Sequence, residues 1–97
     1  MEIVFEIKDK SGRKIHLSKE RWKHIVLKHP DIGGRLEEIK QVLEKPDLII
    51  SHKFDDAMRN YYKYYKSEKC YLLISVKYLN GKGFVATSFF TEKAMKR

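Results

Sequence analysis

The sequence predicts an α+β domain: an N-terminal hairpin and two helices packed on one face of a four-stranded antiparallel sheet. Three observations lead there. Apolar residues alternate with charged ones from Ile3 to Lys8, a strand period. From Ser18 to Pro46 they recur at helical spacing. Beyond Pro46 the period returns to two and stays there to Phe90. Helices that precede a run of hairpin-linked strands segregate to one side of the sheet, leaving its other face open.

The elements follow in order. Ile3, Phe5 and Ile7 face one way on the first strand, Asp9 to Gly12 is turn chemistry, and Lys14 to Leu17 returns as the second strand. Ser18 suits an N-cap, with Glu20 in the first turn where the helix dipole favours it. Trp22, Ile25, Val26 and His29 make the apolar stripe, and Pro30 ends the helix. After Gly33-Gly34, Leu36, Ile39, Val42 and Leu43 make a second helix that ends before Pro46 and carries Glu37, Glu38, Lys40 and Glu44 outward. Leu48 to Ser51 is a short strand, and Asp55-Asp56 marks a loop. Three strands close the pattern: Arg59 to Lys66, Cys70 to Tyr78 and Phe84 to Phe90. The basic tail from Lys93 to Arg97 reads as a frayed end.

At 97 residues, residues 1–97 form one domain with a single modest core. An apolar fraction of 42% with 35% charged residues describes a folded, highly charged chain. No apolar run is long enough to span a bilayer, and no leader is evident, so a cytoplasmic protein without a membrane partner is expected. The lone Cys70 excludes an internal disulfide. It sits beside Lys69 at a turn, where a lowered thiol pKa is conceivable, although a semi-exposed strand cysteine is the plainer reading. A surplus of Lys and Glu over amides points weakly to a thermophile.

Charge supplies the first functional reading. From Ala57 to Arg97 there are nine basic and two acidic residues, net +7 out of a total of +8. All six tyrosines lie in the same stretch. Cations interleaved with stacking side chains suit a nucleic acid, RNA above all. The competing reading is a Lys-rich solvated surface.

Register decides which residues share the open face. A three-residue turn at Ser67 to Lys69 pairs Lys66 with Cys70, placing Tyr61 opposite Ser75 and Arg59 opposite Lys77. A turn pairing Tyr78 with Phe84 places Thr87 opposite Ser75 and Val85 opposite Lys77. The open face then shows Arg59, Tyr61, Lys63, Tyr65, Tyr71, Ser75, Lys77 and Thr87, while Tyr62 and Tyr64 turn into the core. A tight Asn80-Gly81 turn would instead shift the last strand by one and turn Thr87 inward. On the first helix, His24 lies on the polar face and His29 in the apolar stripe at the C-terminal end. Five residues of separation put them 140° apart, so they do not share one metal, and no zinc site or other cofactor is expected. The plainer readings are a solvated His24, a half-buried His29, and Arg59, Lys63 and Lys77 as charges that keep an exposed sheet soluble.

The order of motifs is Trp22-Lys23-His24-Ile25 with His29-Pro30-Asp31, then Leu43-Glu44-Lys45-Pro46-Asp47 and Tyr61-Tyr62-Lys63. Leu72 to Lys77 and Phe84-Val85-Ala86-Thr87-Ser88-Phe89-Phe90 follow. Over about Ile15 to Phe90 this resembles the phage-type branch of the barnase, EndoU, colicin and RelE-like nuclease superfamily. The resemblance implies metal-independent endoribonuclease activity through 2′-hydroxyl attack on the adjacent phosphate, and a toxin role in toxin–antitoxin or phage-conflict systems. By this resemblance His24 and His29 match the helix histidines, Lys63 and Lys77 the basic strand positions, and Thr87 the last-strand hydroxyl. These are the expected catalytic residues, with either histidine as the proton-transfer group. Arg59, Tyr61, Tyr65, Tyr71 and Ser75 are the expected RNA-binding residues. RNA, ribosome-bound or transfer RNA among the choices, and an acidic antitoxin protein are the expected partners. A non-catalytic RNA-binding module using the same face is the alternative.

Overall fold

The computed structural model describes residues 2–94; the last three residues of the basic tail lie outside it. Strands β1 (Ile3–Lys8) and β2 (Lys14–Ser18) form the first hairpin. Helix α1 (Lys19–Lys28), a single 3-10 turn (Pro30–Ile32) and helix α2 (Leu36–Glu44) follow. The chain then runs through β3 (Leu48–Ser51), β4 (Met58–Tyr65), β5 (Cys70–Leu79) and β6 (Lys82–Thr91). Each expected element is present, but their assembly differs from the expectation.

The sheet has six strands, in the order β1-β2-β6-β5-β4-β3, and is mixed rather than four-stranded and antiparallel. The N-terminal hairpin is part of it, because β2 runs parallel to the start of β6, pairing Ile15 with Gly83 and His16 with Phe84. At this junction Gly83 leaves room for side chains of the neighbouring β5: a Cβ there would lie 2.9 Å from the Tyr78 ring and 3.0 Å from Val76. A two-residue parallel contact leaves no trace in a strand's alternation, which reports faces and not neighbours.

Both helices bury their apolar stripes on one face of this sheet. Ile25, Ile32, Ile39, Val42 and Leu43 pack with Phe5, Ile15, Leu17, Leu72, Ile74, Val76 and Val85 in one core. The Ser18 hydroxyl caps α1 by accepting from the Arg21 N–H at 3.1 Å. Past the short β2–β6 contact, α1 runs alongside β6 and brings its outer side chains to the rim of the opposite sheet face.

Candidate functional site

Two hairpins decide what the open face carries. The β4–β5 connection is a four-residue loop, Lys66 to Lys69, ending in Lys69 at φ 55°, and it pairs Tyr65 with Cys70. The expected register was one residue away, and a one-residue slip reverses every side chain of a strand. Arg59, Tyr61, Lys63 and Tyr65 therefore lie on the helix side with Val76, Ile74, Leu72 and Cys70. Met58, Asn60, Tyr62 and Tyr64 come to the open side with Lys77, Ser75, Leu73 and Tyr71. Tyr62 is nonetheless fully buried, whereas Tyr64 is exposed.

The β5–β6 connection is the tight turn, with Asn80 at φ 53° and Gly81 at φ 79° pairing Leu79 with Lys82. By itself this turns Thr87 inward. A bulge at Ala86, between the pairs Val76–Val85 and Ser75–Thr87, restores the alternation and returns Thr87 to the open face opposite Ser75. Phe84, not Val85, lies opposite Lys77.

The result is a polar row across the sheet. His52, just beyond β3, places Nε2 3.0 Å from Asn60 Oδ1. Asn60 lies opposite Ser75, and Ser75 opposite Thr87. Asn60 Nδ2 donates to the Tyr62 hydroxyl at 3.4 Å, which fixes the amide's orientation. Ser75 is buried at 5% exposure, while Thr87 opens into a small cleft of about 90 Å³ lined by Arg21, His24, Ile25, Lys28 and Ala86. Positions 21, 24 and 28 lie on one side of α1, so the cleft collects two cations and an imidazole beside the Thr87 hydroxyl. His24 and Lys28 have no side-chain hydrogen bond or ion pair among the described residues.

The expected cations are more committed. Lys77 donates to Asp55 at 2.6 Å, and this bond, followed by the Ala57 N–H, holds the Asp55 carboxyl below its ordinary range. Lys63 stands 4.0 Å from Asp47. Arg59 donates to the Asp56 carbonyl at 2.6 Å. His29 is the helix C-cap and sets its ring 5.2 Å from that of Phe89, one row away from Thr87. Tyr71 meets Tyr64 and Tyr62 edge to face on the open side. Tyr65 sits on the helix side, where burial pushes its phenol up.

Tyr61 leaves the candidate set altogether. Its hydroxyl is 2.5 Å from that of Tyr78, and Tyr78 donates to Asp9 at 2.6 Å, all inside the protein. Burial, then the neighbouring Glu68, pushes the Cys70 thiol up, so the conceivable activation by Lys69 is replaced by its opposite. Arg21 and Lys28 were legible beside His24 at helical spacing. His52 and Asn60 were not, because only the true β4 register makes them neighbours of Ser75. Among the described residues no cluster of three or more His, Cys, Asp or Glu could hold a metal ion. No helix is long and apolar enough to cross a membrane.

No curated protein and no solved structure matches this chain. A family model does, over residues 2–97, and its description names the nuclease group that the motif order resembles. With the match spanning both the helix that carries His24 and the strand that carries Thr87, the chain belongs to the phage-Barnase-EndoU-ColicinE5/D-RelE like nuclease2 family.

Proposed function

We propose that this chain is an endoribonuclease that cleaves by internal attack of a ribose 2′-hydroxyl, using the polar row on the open sheet face. The observation that carries the reading is the cleft that holds His24 and Thr87 with Arg21 and Lys28, at one end of a row that reaches His52 at the other. Imidazole is the side chain suited to give and take protons near neutral pH. In-line displacement needs a proton acceptor and a proton donor on opposite sides of phosphorus. Two strand spacings, about 10 Å, separate Asn60 from Thr87, so His24 and His52 do not meet at one phosphate, and His24, beside Thr87, is the imidazole at the reacting centre. The 2′-oxygen to phosphorus bond forms as the 2′-proton is removed, and the bond from phosphorus to the 5′-oxygen breaks as that oxygen is protonated. His24 carries one of the two transfers and water the other, while His52 holds the Asn60 end of the row. The products are a 2′,3′-cyclic phosphate and a 5′-hydroxyl end.

Arg21 and Lys28 offset the charge that grows on the phosphoryl oxygens, and the Thr87 hydroxyl and Asn60 amide orient the reacting groups. This chemistry uses no metal, and a toxin held in check by an acidic protein partner is the biological role it supports best, since an acidic segment would cover the cations of α1. Digestion of RNA in excess chelator tests the chemistry. Cyclic phosphate ends are expected, a 2′-deoxy substitution at the cut nucleotide is expected to block the reaction, and His24→Ala to slow it about 10²–10⁴-fold. Undiminished cleavage by a variant lacking both His24 and His52 would overturn the assignment. Salt-dependent RNA binding without any product would favour the non-catalytic module.

A further inference from the structure

The cleavage chemistry leaves a charged cavity on the other face of the sheet unused. It lies on the helix side, between the tip of the β1–β2 hairpin and the outer strands β3 and β4. Its volume is about 280 Å³, and Lys10, Arg13 and Arg59 stand around it. Arg13 is pinned on three sides. Its guanidinium lies 3.9 Å from the centre of the Tyr78 ring, its Nε donates to the Ser11 hydroxyl at 3.1 Å, and the same nitrogen is 3.6 Å from Asp9 Oδ2. Its two terminal nitrogens have no acceptor among the described residues. Arg59 is held through Nη1, which donates to the Asp56 carbonyl at 2.6 Å, and no carboxylate pairs with it among the described residues. Lys10 is exposed, with neither a hydrogen bond nor an ion pair there.

The one carboxylate in the lining is turned away. The Asp9 side chain is 1% exposed, and its oxygens already accept from Ser11, Arg13 and Tyr78. The cavity therefore offers spare, oriented donors from two guanidiniums and a free ammonium, which is the chemistry that takes a phosphate. Ile49, 43% exposed, adds an apolar wall for the sugar that the phosphate carries. Place matters as much as charge. Arg59 precedes Asn60 in β4, so the cavity lies directly behind the Asn60 end of the polar row. Only β3 stands between it and the edge of the sheet, and β3 ends at Ser51, opposite Arg59. One strand spacing is about 4.8 Å, and the exposed Lys53 follows at the turn of the edge.

We propose that this cavity is a phosphate subsite for an RNA strand that leaves the polar row at His52, rounds the end of β3 and sets a backbone phosphate among Arg13, Arg59 and Lys10. The proposal rests on the RNA-cleaving reading for the presence of RNA in the row. It also narrows the substrate class. The segment that rounds the edge is single-stranded, because a paired helix is too wide and stiff to turn about one strand. Short substrates fill the row and long ones fill the row and the cavity.

The test uses 2′-fluoro RNA oligomers of rising length, which lack the attacking hydroxyl, with affinity read by fluorescence anisotropy. We expect one step of about tenfold with length, the worth of one charge-assisted hydrogen bond, and a plateau beyond it. Lys10→Glu with Arg59→Gln is expected to remove the step and to lower the slope of log affinity against log salt on the long oligomer by about 0.7, one phosphate contact. The shortest oligomer is expected to bind both proteins alike. Lys10→Glu alone, at an exposed side chain without a partner, is expected to shrink the step, and it keeps the test decisive if the double variant does not fold. A step that survives these substitutions, or an equal loss at every length, overturns the subsite. So does a step that survives annealing a complement to the extension. If the cavity takes AMP, or takes poly-glutamate in preference to the long oligomer, with no length step, it serves a free phosphate or an acidic protein, and the strand path is overturned. Cleavage of natural RNA without a length step removes the subsite and leaves the nuclease reading intact. A length step in a protein that cuts no RNA keeps the subsite and removes the nuclease.

Discussion

Asp9 is tightly held. It is almost fully buried, yet its carboxylate is ionised, because five donors converge on it. Oδ1 accepts from the Ser11 N–H at 2.8 Å, the Ser11 hydroxyl at 2.6 Å and the Arg13 N–H at 2.9 Å. Oδ2 accepts from Tyr78 at 2.6 Å and more distantly from Tyr61 at 3.5 Å. The Arg13 guanidinium stacks 3.9 Å above the Tyr78 ring. Burial pushes the Asp9 carboxyl up, but the bonds from Ser11, Tyr78 and Arg13 outweigh it and hold it below its ordinary 3.8. The same burial, followed by the bonds to Asp9 and Tyr61, pushes the Tyr78 phenol far above 10.0. The signs differ at the two ends of the pH scale. A depressed carboxyl contributes stability that is present above pH 3.8 and lost as pH falls toward its folded value. A raised phenol contributes stability that is present below pH 10.0 and lost as pH climbs beyond it, since the unfolded chain ionises first. Urea midpoints measured across both limits should fall at each end. Asp9→Asn should cost about 2–3 kcal/mol at neutral pH and flatten the acid limb; an acid limb of unchanged slope would show that other carboxylates govern it.

Elements, more than single residues, determine which side chains meet. The loop of residues 52 to 57 brings Asp55 onto Lys77 and His52 onto Asn60. Asp55 thereby occupies a cation that faces the same side as the polar row. Asp55→Asn is expected to release Lys77, strengthen RNA binding at low salt and steepen the dependence of log affinity on log salt by about 0.7, one phosphate contact on a single strand. An unaltered slope would place Lys77 off the RNA path. The element boundaries themselves were legible in the sequence: β1 and β3 match their expected ends, and Ser18 and Pro30 delimit α1 as their chemistry dictates. The face of β5 was legible too, because Leu72, Ile74 and Val76 carry no charge. The face of β4 was not. Its Arg-Asn-Tyr-Tyr-Lys-Tyr-Tyr run is amphipathic on both sides, so only the loop length fixes it, and four residues rather than three moved Tyr61 from the expected site to the core. In β6 two departures from the expected geometry cancel. The short turn shifts the strand by one residue and the Ala86 bulge shifts it back, so Thr87 reaches the expected face by a different route.

At the scale of the whole molecule, the sheet is two antiparallel units joined along β6. The hairpin of β1 and β2 is made first, the meander of β3 to β6 last, and the two meet at Ile15–Gly83 and His16–Phe84. Gly83 is buried at this seam, against Tyr78 and Val76. Gly83→Ala is expected to cost about 1–3 kcal/mol through overpacking and to loosen the hairpin first. Hydrogen exchange that accelerates in β1 and β2 more than in β4 would confirm the order, and uniform acceleration would contradict it. The seam also bears on when the protein can act. On the ribosome the N-terminal hairpin and α1 emerge long before β6, and until β6 emerges nothing ties them to the meander. His24 then has no Thr87 beside it, and Ser75 lacks one of its two neighbouring strands. Under the RNA-cleaving function proposed above, the chain cannot cut RNA before β6 has emerged and completed the site.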